Sequence, residues 1–186
     1  MNEKDFKLYR FSPILNKEGL MQAIRHIHVE CHKLCKNSFG KYLPNSGNVG
    51  VFCHDLNEFI FLKGVREEWC YPSENKDQKY FELRESIRIE SVGDIPETVY
   101  THLYIRKPDI YRGQVGDLDF YLPESEYTEL KIKMENGLEL QGARIFPRPD
   151  LDMIELYDFK SDALAYVSTC KMSEEVRVKL SEHTKL

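Results

Sequence analysis

No apolar run in this chain approaches the roughly 20 residues that a membrane-spanning helix needs. A surplus of positive charge is also missing. Lysine and arginine number 26 against 31 aspartates and glutamates, for a net charge of −5. A broad nucleic-acid footprint requires clustered positive charge, so neither a membrane nor a nucleic acid is an expected partner. The N-terminus, MNEKDFKLYRF, lacks the apolar centre of a secretory leader, and a cytoplasmic location is expected. Five cysteines, an odd number without compact spacing, do not make a disulfide framework, and reduced thiols are expected. There is no G-x-S-x-G elbow and no H-E-x-x-H helix. The Gly-rich stretch at 39–50, FGKYLPNSGNVG, does not match a phosphate loop and reads as a surface loop.

What is present suffices for a folded core: 41% of residues are hydrophobic and 12% aromatic, which excludes wholesale disorder. The most informative run is Val115 to Val167. Asp117 to Leu122 alternates acidic with aromatic or apolar residues, a strand pattern. Pro123 and Glu124 open a helix with Tyr127, Leu130 and Met134 on one face, and Asn136-Gly137 closes it. Three β-rich runs follow, at Ala143–Phe146, Met153–Tyr157 and Ala163–Ser168. The unit reads β-α-β-β-β. A fainter copy lies upstream, where Glu58 to Lys63 and Glu126 to Lys131 both fit E-[F/Y]-x-x-L-K at an offset of 68. That offset sets Val49-Gly50-Val51-Phe52 over Asp117-Leu118-Asp119-Phe120. It also pairs the strand at Thr101–Tyr104 with Ile154–Tyr157 as the closing strands. Internal duplication and a chance match both account for the pattern.

Taken in order, a short strand is expected near Lys7–Phe11. A helix is expected over Lys17 to about Lys36, with Leu20, Ile24, Ile27, Cys31 and Leu34 on its buried face. A loop over 37–48 precedes a strand at Val49–Cys53 and a helix from Asp55, a good N-cap, to Trp69. Strands follow at Tyr80–Leu83, Ile87–Ile89 and Thr98–Ile105. The tail from Ser173 has a short amphipathic pattern. The expected organisation is an extension at 1–47, a first module at 48–108, a second at 109–170 and a tail at 171–186.

Chemistry could sit in two places. His28, Cys31, His32 and Cys35 share one face of the first helix, and His and Cys are good zinc ligands. One straight helix cannot wrap four ligands around an ion, however, and small core cysteines with histidines at their edge account for the same spacing. The second place follows from strand parity. If Phe120 faces the core, then Asp117, Asp119 and Tyr121 face the other way. Glu155 shares a face with Tyr157, and His102 with Tyr104. Adjacent acids are costly to bury without a counter-charge, and a divalent ion in a polar cleft would supply one. Acids pointing to solvent along a sheet edge are the plainer reading. Arg106, Lys107 and Arg112 around Pro108-Asp109 fit either an anion site or a solvated turn.

The segments NVGVFCHDLNEFIFL, GDLDFYL with its following helix, and MIELYDFKSDAL resemble the opening and closing elements of the vicinal oxygen chelate superfamily, the group of glyoxalase, extradiol dioxygenases and bleomycin-resistance proteins. The resemblance covers about residues 48–167. It implies an α+β fold in which two βαβββ-like modules form a mixed sheet with a cleft, here preceded by an N-terminal helical extension. It places closing-strand metal ligands on Glu155 and His102 and an opening ligand on Asp117, where metal-binding members have His or Gln. Asn48 or Val49, at the opening of the first module, is not a usual ligand, and DFKSD replaces the family's turn. The expected function is a metal-dependent enzyme acting on a small polar metabolite, of isomerase, lyase or dioxygenase type. A divalent metal (Fe, Mn, Ni or Zn) would be held by His102, Asp117 and Glu155. Asp119 would be a base or fourth ligand, and Tyr104 or Tyr157 would orient substrate or donate a proton. The alternatives are a metal-free small-molecule binding protein and a protein-interaction module. The cleft could close within one chain or across a homodimer.

Overall fold

The computed structural model describes residues 9–147 and 151–178. The strand expected near Lys7–Phe11 begins outside them, and its described part is bent. The amphipathic tail runs out of them at residue 178. The first helix, α1 (Lys17–Phe39), is started by the Asn16 side chain, which accepts from the Gly19 amide at 2.7 Å. It ends at Gly40, whose φ of 69° suits a residue without a Cβ. Leu20, Ile24, Ile27, Cys31 and Leu34 are buried, as their spacing predicts. Helix α2 (Leu56–Trp69) opens on a capping box between Asp55 and Glu58. Helix α3 (Glu124–Glu135) follows Pro123, and α4 (Cys170–Glu175) is a short turn capped by Thr169.

Seven strands form one mixed sheet: β1 (Asn45–Phe52), β2 (Phe81–Ile89), β3 (Thr98–Arg106), β4 (Gly116–Leu122), β5 (Ala143–Phe146), β6 (Met153–Leu156) and β7 (Ala163–Thr169). Their order is β2-β3-β1-β4-β7-β6-β5. Strand β1 pairs parallel with β3, and β4 pairs parallel with β7; the two halves meet where β1 and β4 run antiparallel. The fold is α+β with an N-terminal helix, as expected. Helix α1 packs on β4 and β7, α2 on β2 and β3, and α3 on β5 and β7. Phe120 faces this helix layer, where its ring meets the edge of His32 at 5.1 Å between centroids.

Three details differ from expectation. The stretch at 39–50, expected as a surface loop, is strand from Asn45 onward, and residues 47–50 are buried because they pair between β3 and β4. Tyr80–Leu83 and Ile87–Ile89 are parts of one strand, β2, whose register to β3 shifts between Glu82 and Ile87. An irregularity of that kind interrupts the alternation without ending the strand, so the first unit is one strand shorter than the second. The strand that occupies the place of β3 in the second unit is β7, not β6, because β3 and β7 are the strands lying parallel to their units' first strands. The expected equivalence of Thr101–Tyr104 with Ile154–Tyr157 therefore does not hold in the topology.

Candidate active site

The face of the sheet away from α1 carries a long row of polar side chains. Strand pairing sets Glu82 beside His102, His102 beside Asn48, Asp119 beside Tyr166, Tyr166 beside Glu155, and Glu155 beside Arg144. Asn48 closes the gap at the centre, donating through Nδ2 to Asp119 at 2.8 Å. The neighbouring row runs Tyr104, Gly50, Asp117 and Leu164. The parity expected for β4 is therefore correct: Asp117 and Asp119 share the face opposite Phe120. They are buried, at 7% and 2% exposure, rather than solvated on a sheet edge.

They are buried because this face is roofed. Helix α4 and the turn after it lie across β1, β4 and β7. Asn48 donates to the Ser173 carbonyl at 2.7 Å and accepts from Arg177 Nε at 2.9 Å. The Lys79 and Tyr80 amides both donate to the Arg177 carbonyl. Between roof and sheet lies a cavity of about 190 Å³. Asp117 and Asp119 are on its floor. Lys79, Arg106 and Arg112 supply positive charge, Tyr80, Tyr104 and Tyr166 supply phenols, and Phe52, Met153 and Val176 supply the apolar wall.

Tyr80 donates to Asp117 Oδ1 at 3.2 Å. Burial, reinforced by the charges of Asp117 and Asp119, pushes its phenol well above the ordinary range, so Tyr80 stays a neutral donor. Arg106 is committed to Asp109 at 2.7 Å and lies over the Phe52 ring. Lys79 sits over the Tyr104 ring, 5.4 Å from its centroid.

The expected metal ligands are not gathered. His102 and Glu155 lie in the same row but four strand spacings apart, roughly 19 Å along the sheet at about 4.8 Å per strand. Glu155 is fully buried and already bonded: Arg144 Nε donates to it at 2.9 Å and the Tyr166 hydroxyl at 3.2 Å. His102 takes part in a 2.9 Å bond with Thr101, and burial followed by the nearby Arg177 charge lowers its pKa. Among the described residues no group of three His, Cys, Asp or Glu side chains is placed to hold a metal ion. The donor set His102, Asp117 and Glu155 thus does not fit a single divalent cation.

Tyr104 lines the cavity but Tyr157 does not: it lies past the end of β6, is 40% exposed, and carries the Arg144 guanidinium 4.9 Å over its ring. His28, Cys31, His32 and Cys35 of α1 are core. His28 Nδ1 meets the Tyr100 hydroxyl at 2.8 Å, His32 Nδ1 donates to the His28 carbonyl at 2.7 Å, and Cys31 donates to the Leu164 carbonyl at 2.9 Å. Burial, with the His32 charge second, lowers the His28 pKa to about 4.

Sequence reasoning missed Lys79, Tyr80, Tyr166 and the role of Asn48. Tyr166 had a signal, since in Ala163–Ser168 the small residues Ala163 and Ala165 alternate with Leu164 and Tyr166. Lys79 and Tyr80 had none, because they precede a strand and reach the cavity only through its pairing.

No family model matches the chain, and no curated protein matches it. A solved structure titled Structural Genomics, Protein EC4020 is similar at 11% identity, with 85% of this chain and 92% of that one covered and a TM-score of 0.53; the likeness is one of fold. Structures of methylmalonyl-CoA epimerase are also similar. One is a variant from Streptomyces coelicolor in complex with 2-nitronate-propionyl-CoA, and another is a complex with methylmalonyl-CoA and NH4+. Both are 15% identical over 68% of this chain, covering 98% and 95% of theirs, at a TM-score of 0.30, too low to carry an argument.

Proposed function

We propose that the roofed cleft is the active site of an enzyme that moves a proton on a small polar metabolite. The observation that carries this reading is the pair of buried carboxylates, Asp117 and Asp119, at successive cleft-facing positions of β4 on the floor of a polar cavity. Burying two carboxylates side by side is unfavourable unless donors and counter-charges are arranged for them. Here Asn48 and Tyr80 donate to them, and Lys79, Arg106 and Arg112 line the same space. Such arrangements cluster at functional sites.

In this reading Asp119 takes a proton from a carbon next to a carbonyl or carboxyl group, and the electron pair moves onto that group's oxygen. Arg112, in the cavity wall, donates hydrogen bonds to the developing charge, while Tyr80, held neutral, keeps its bond to Asp117. Tyr104, on β3, returns a proton from another wall. The reaction is of isomerase or lyase type. No step passes through a metal, since among the described residues the candidate ligands are apart.

A second reading, sequestration of a ligand without turnover, is favoured by the hydrogen bonds that Asp117 and Asp119 already accept. Proton NMR in D2O separates the two. The protein is incubated with a panel of small oxo, hydroxy and amino acids, with and without EDTA. Exchange of a carbon-bound proton that survives EDTA and falls by roughly a hundredfold or more in Asp119→Asn supports the enzyme. Binding without exchange supports sequestration. Exchange abolished by EDTA and restored by manganese, nickel, iron or zinc would overturn the metal-free mechanism.

A further inference from the structure

The charges of this cleft also define the kind of molecule that fits it. Among the described residues the cleft is lined by the carboxylates Asp117 and Asp119 and by the cations Lys79, Arg106 and Arg112, with Asp109 bound to Arg106. The charges are also unevenly committed. Arg106 is bound to Asp109. Arg112 lines the same cavity, and its guanidinium has no hydrogen bond or ion pair among the described residues. A planar guanidinium is suited to a carboxylate, which it holds through two parallel hydrogen bonds. On the other side, Asp117 and Asp119 stand among the phenol rings of Tyr80, Tyr104 and Tyr166. Carboxylates and aromatic faces together suit an ammonium group. Lys79, lying over the Tyr104 ring, shows that this wall accepts one.

We infer that the ligand is a small zwitterionic amino acid, its carboxylate on Arg112 and its ammonium toward Asp117 and Asp119. The cavity of about 190 Å³ has room for a ligand on the order of six to ten non-hydrogen atoms. Val176 and Met153 face a short apolar side chain. This inference rests on the reading of the cleft as a ligand site.

The test uses the full chain and four probes, L-alanine, L-lactate, ethanolamine and glycerol, by calorimetry and by the aromatic NMR signals of the cleft tyrosines. L-alanine is expected to bind at least about tenfold more tightly than L-lactate, which lacks the ammonium, or ethanolamine, which lacks the carboxylate. Arg112→Met should weaken L-alanine and L-lactate by about tenfold or more and leave ethanolamine unchanged, with Arg112→Lys recovering part of the loss. Circular dichroism confirms that both variants are folded. Equal affinity for L-lactate and L-alanine, or no effect of Arg112→Met, overturns the inference. Tyrosine shifts with glycerol alone would refute the zwitterion while leaving the cleft as a ligand site. No shift with any probe would count against both.

Discussion

Tyr80 reaches Asp117 across the space left by Gly50, which lies between them on β1 and offers no side chain to block the 3.2 Å hydrogen bond. A Cβ at Gly50 would stand 2.0 Å from Asp117 Oδ1 and 3.4 Å from the Tyr80 hydroxyl. The obstructed atom is the end of a movable side chain, so Gly50→Ala should fold, with a stability change within about 1–2 kcal/mol. Asp117 should swing away from Tyr80, and ligand affinity or turnover should fall by about tenfold or more. A crystal structure of the variant alongside binding or turnover checks both. A displaced Asp117 with unimpaired function would remove it from the site.

The roof depends on Asn48. Its amide holds Asp119 and the Ser173 carbonyl at once, while its oxygen accepts from Arg177. Asn48→Leu leaves these buried groups without that partner, each at a cost of about 1–3 kcal/mol. Hydrogen exchange at 173–178 is expected to quicken, with the β4–β7 ladder still protected. Uniform loosening across the sheet would mean that the roof is not a separate unit.

Glu155 is predicted to be a structural carboxylate. It is fully buried, and Arg144 with Tyr166 compensates its charge. Arg144→Met should destabilise the protein by about 2–3 kcal/mol, because the carboxylate stays behind without its cation. The double variant with Glu155→Gln should recover part of that loss. Urea unfolding of the four-member cycle measures the coupling, and a coupling near zero would contradict the assignment.

Burial holds the His28 pKa at about 4, below its ordinary value of 6.5. The folded state therefore binds fewer protons than the unfolded chain between those values, and stability rises with pH there. The contribution is fully present above about pH 6.5 and is lost as pH falls toward 4, by up to about 3 kcal/mol. Urea unfolding between pH 7.5 and 4.5 should show this decline, and His28→Phe should make it shallower, the remainder coming from His32, His54 and His102, whose pKa values are also lowered. An equal slope in the variant would place the proton uptake elsewhere.

Much of the fold was legible because local periodicity is set by backbone geometry alone. The spacing of Leu20, Ile24, Ile27, Cys31 and Leu34 can be satisfied only by a helix with one buried face, and that is α1. The alternation around Phe120 fixed which side Asp117 and Asp119 take, and the α2 start at Leu56 and α3 start at Glu124 keep the offset of 68. Applied to the strands, the same offset sets Val49 over Asp117, yet it is Asn48 and Gly50 that share the cleft with Asp117 and Asp119. A shift of one residue exchanges the faces of a strand, and nothing within β1 reveals it.

The shared motif around Glu58 shows the same limit. The sequence matches Glu58 with Glu126, but Glu58 is buried and accepts from Ser12, Ile14, His54 and Asp55, tying the chain before α1 to α2, whereas Glu126 is exposed. The sequence by itself determined most of the elements and the face that Asp117 and Asp119 take, because those follow from φ, ψ and the side-chain period of a few neighbouring residues. Only the tertiary structure decided the partners: Arg144 and Tyr166 around Glu155, Tyr80 over Gly50, and the roof that buries Asp119. Those contacts join residues far apart in the chain, and strand order and register bring them together.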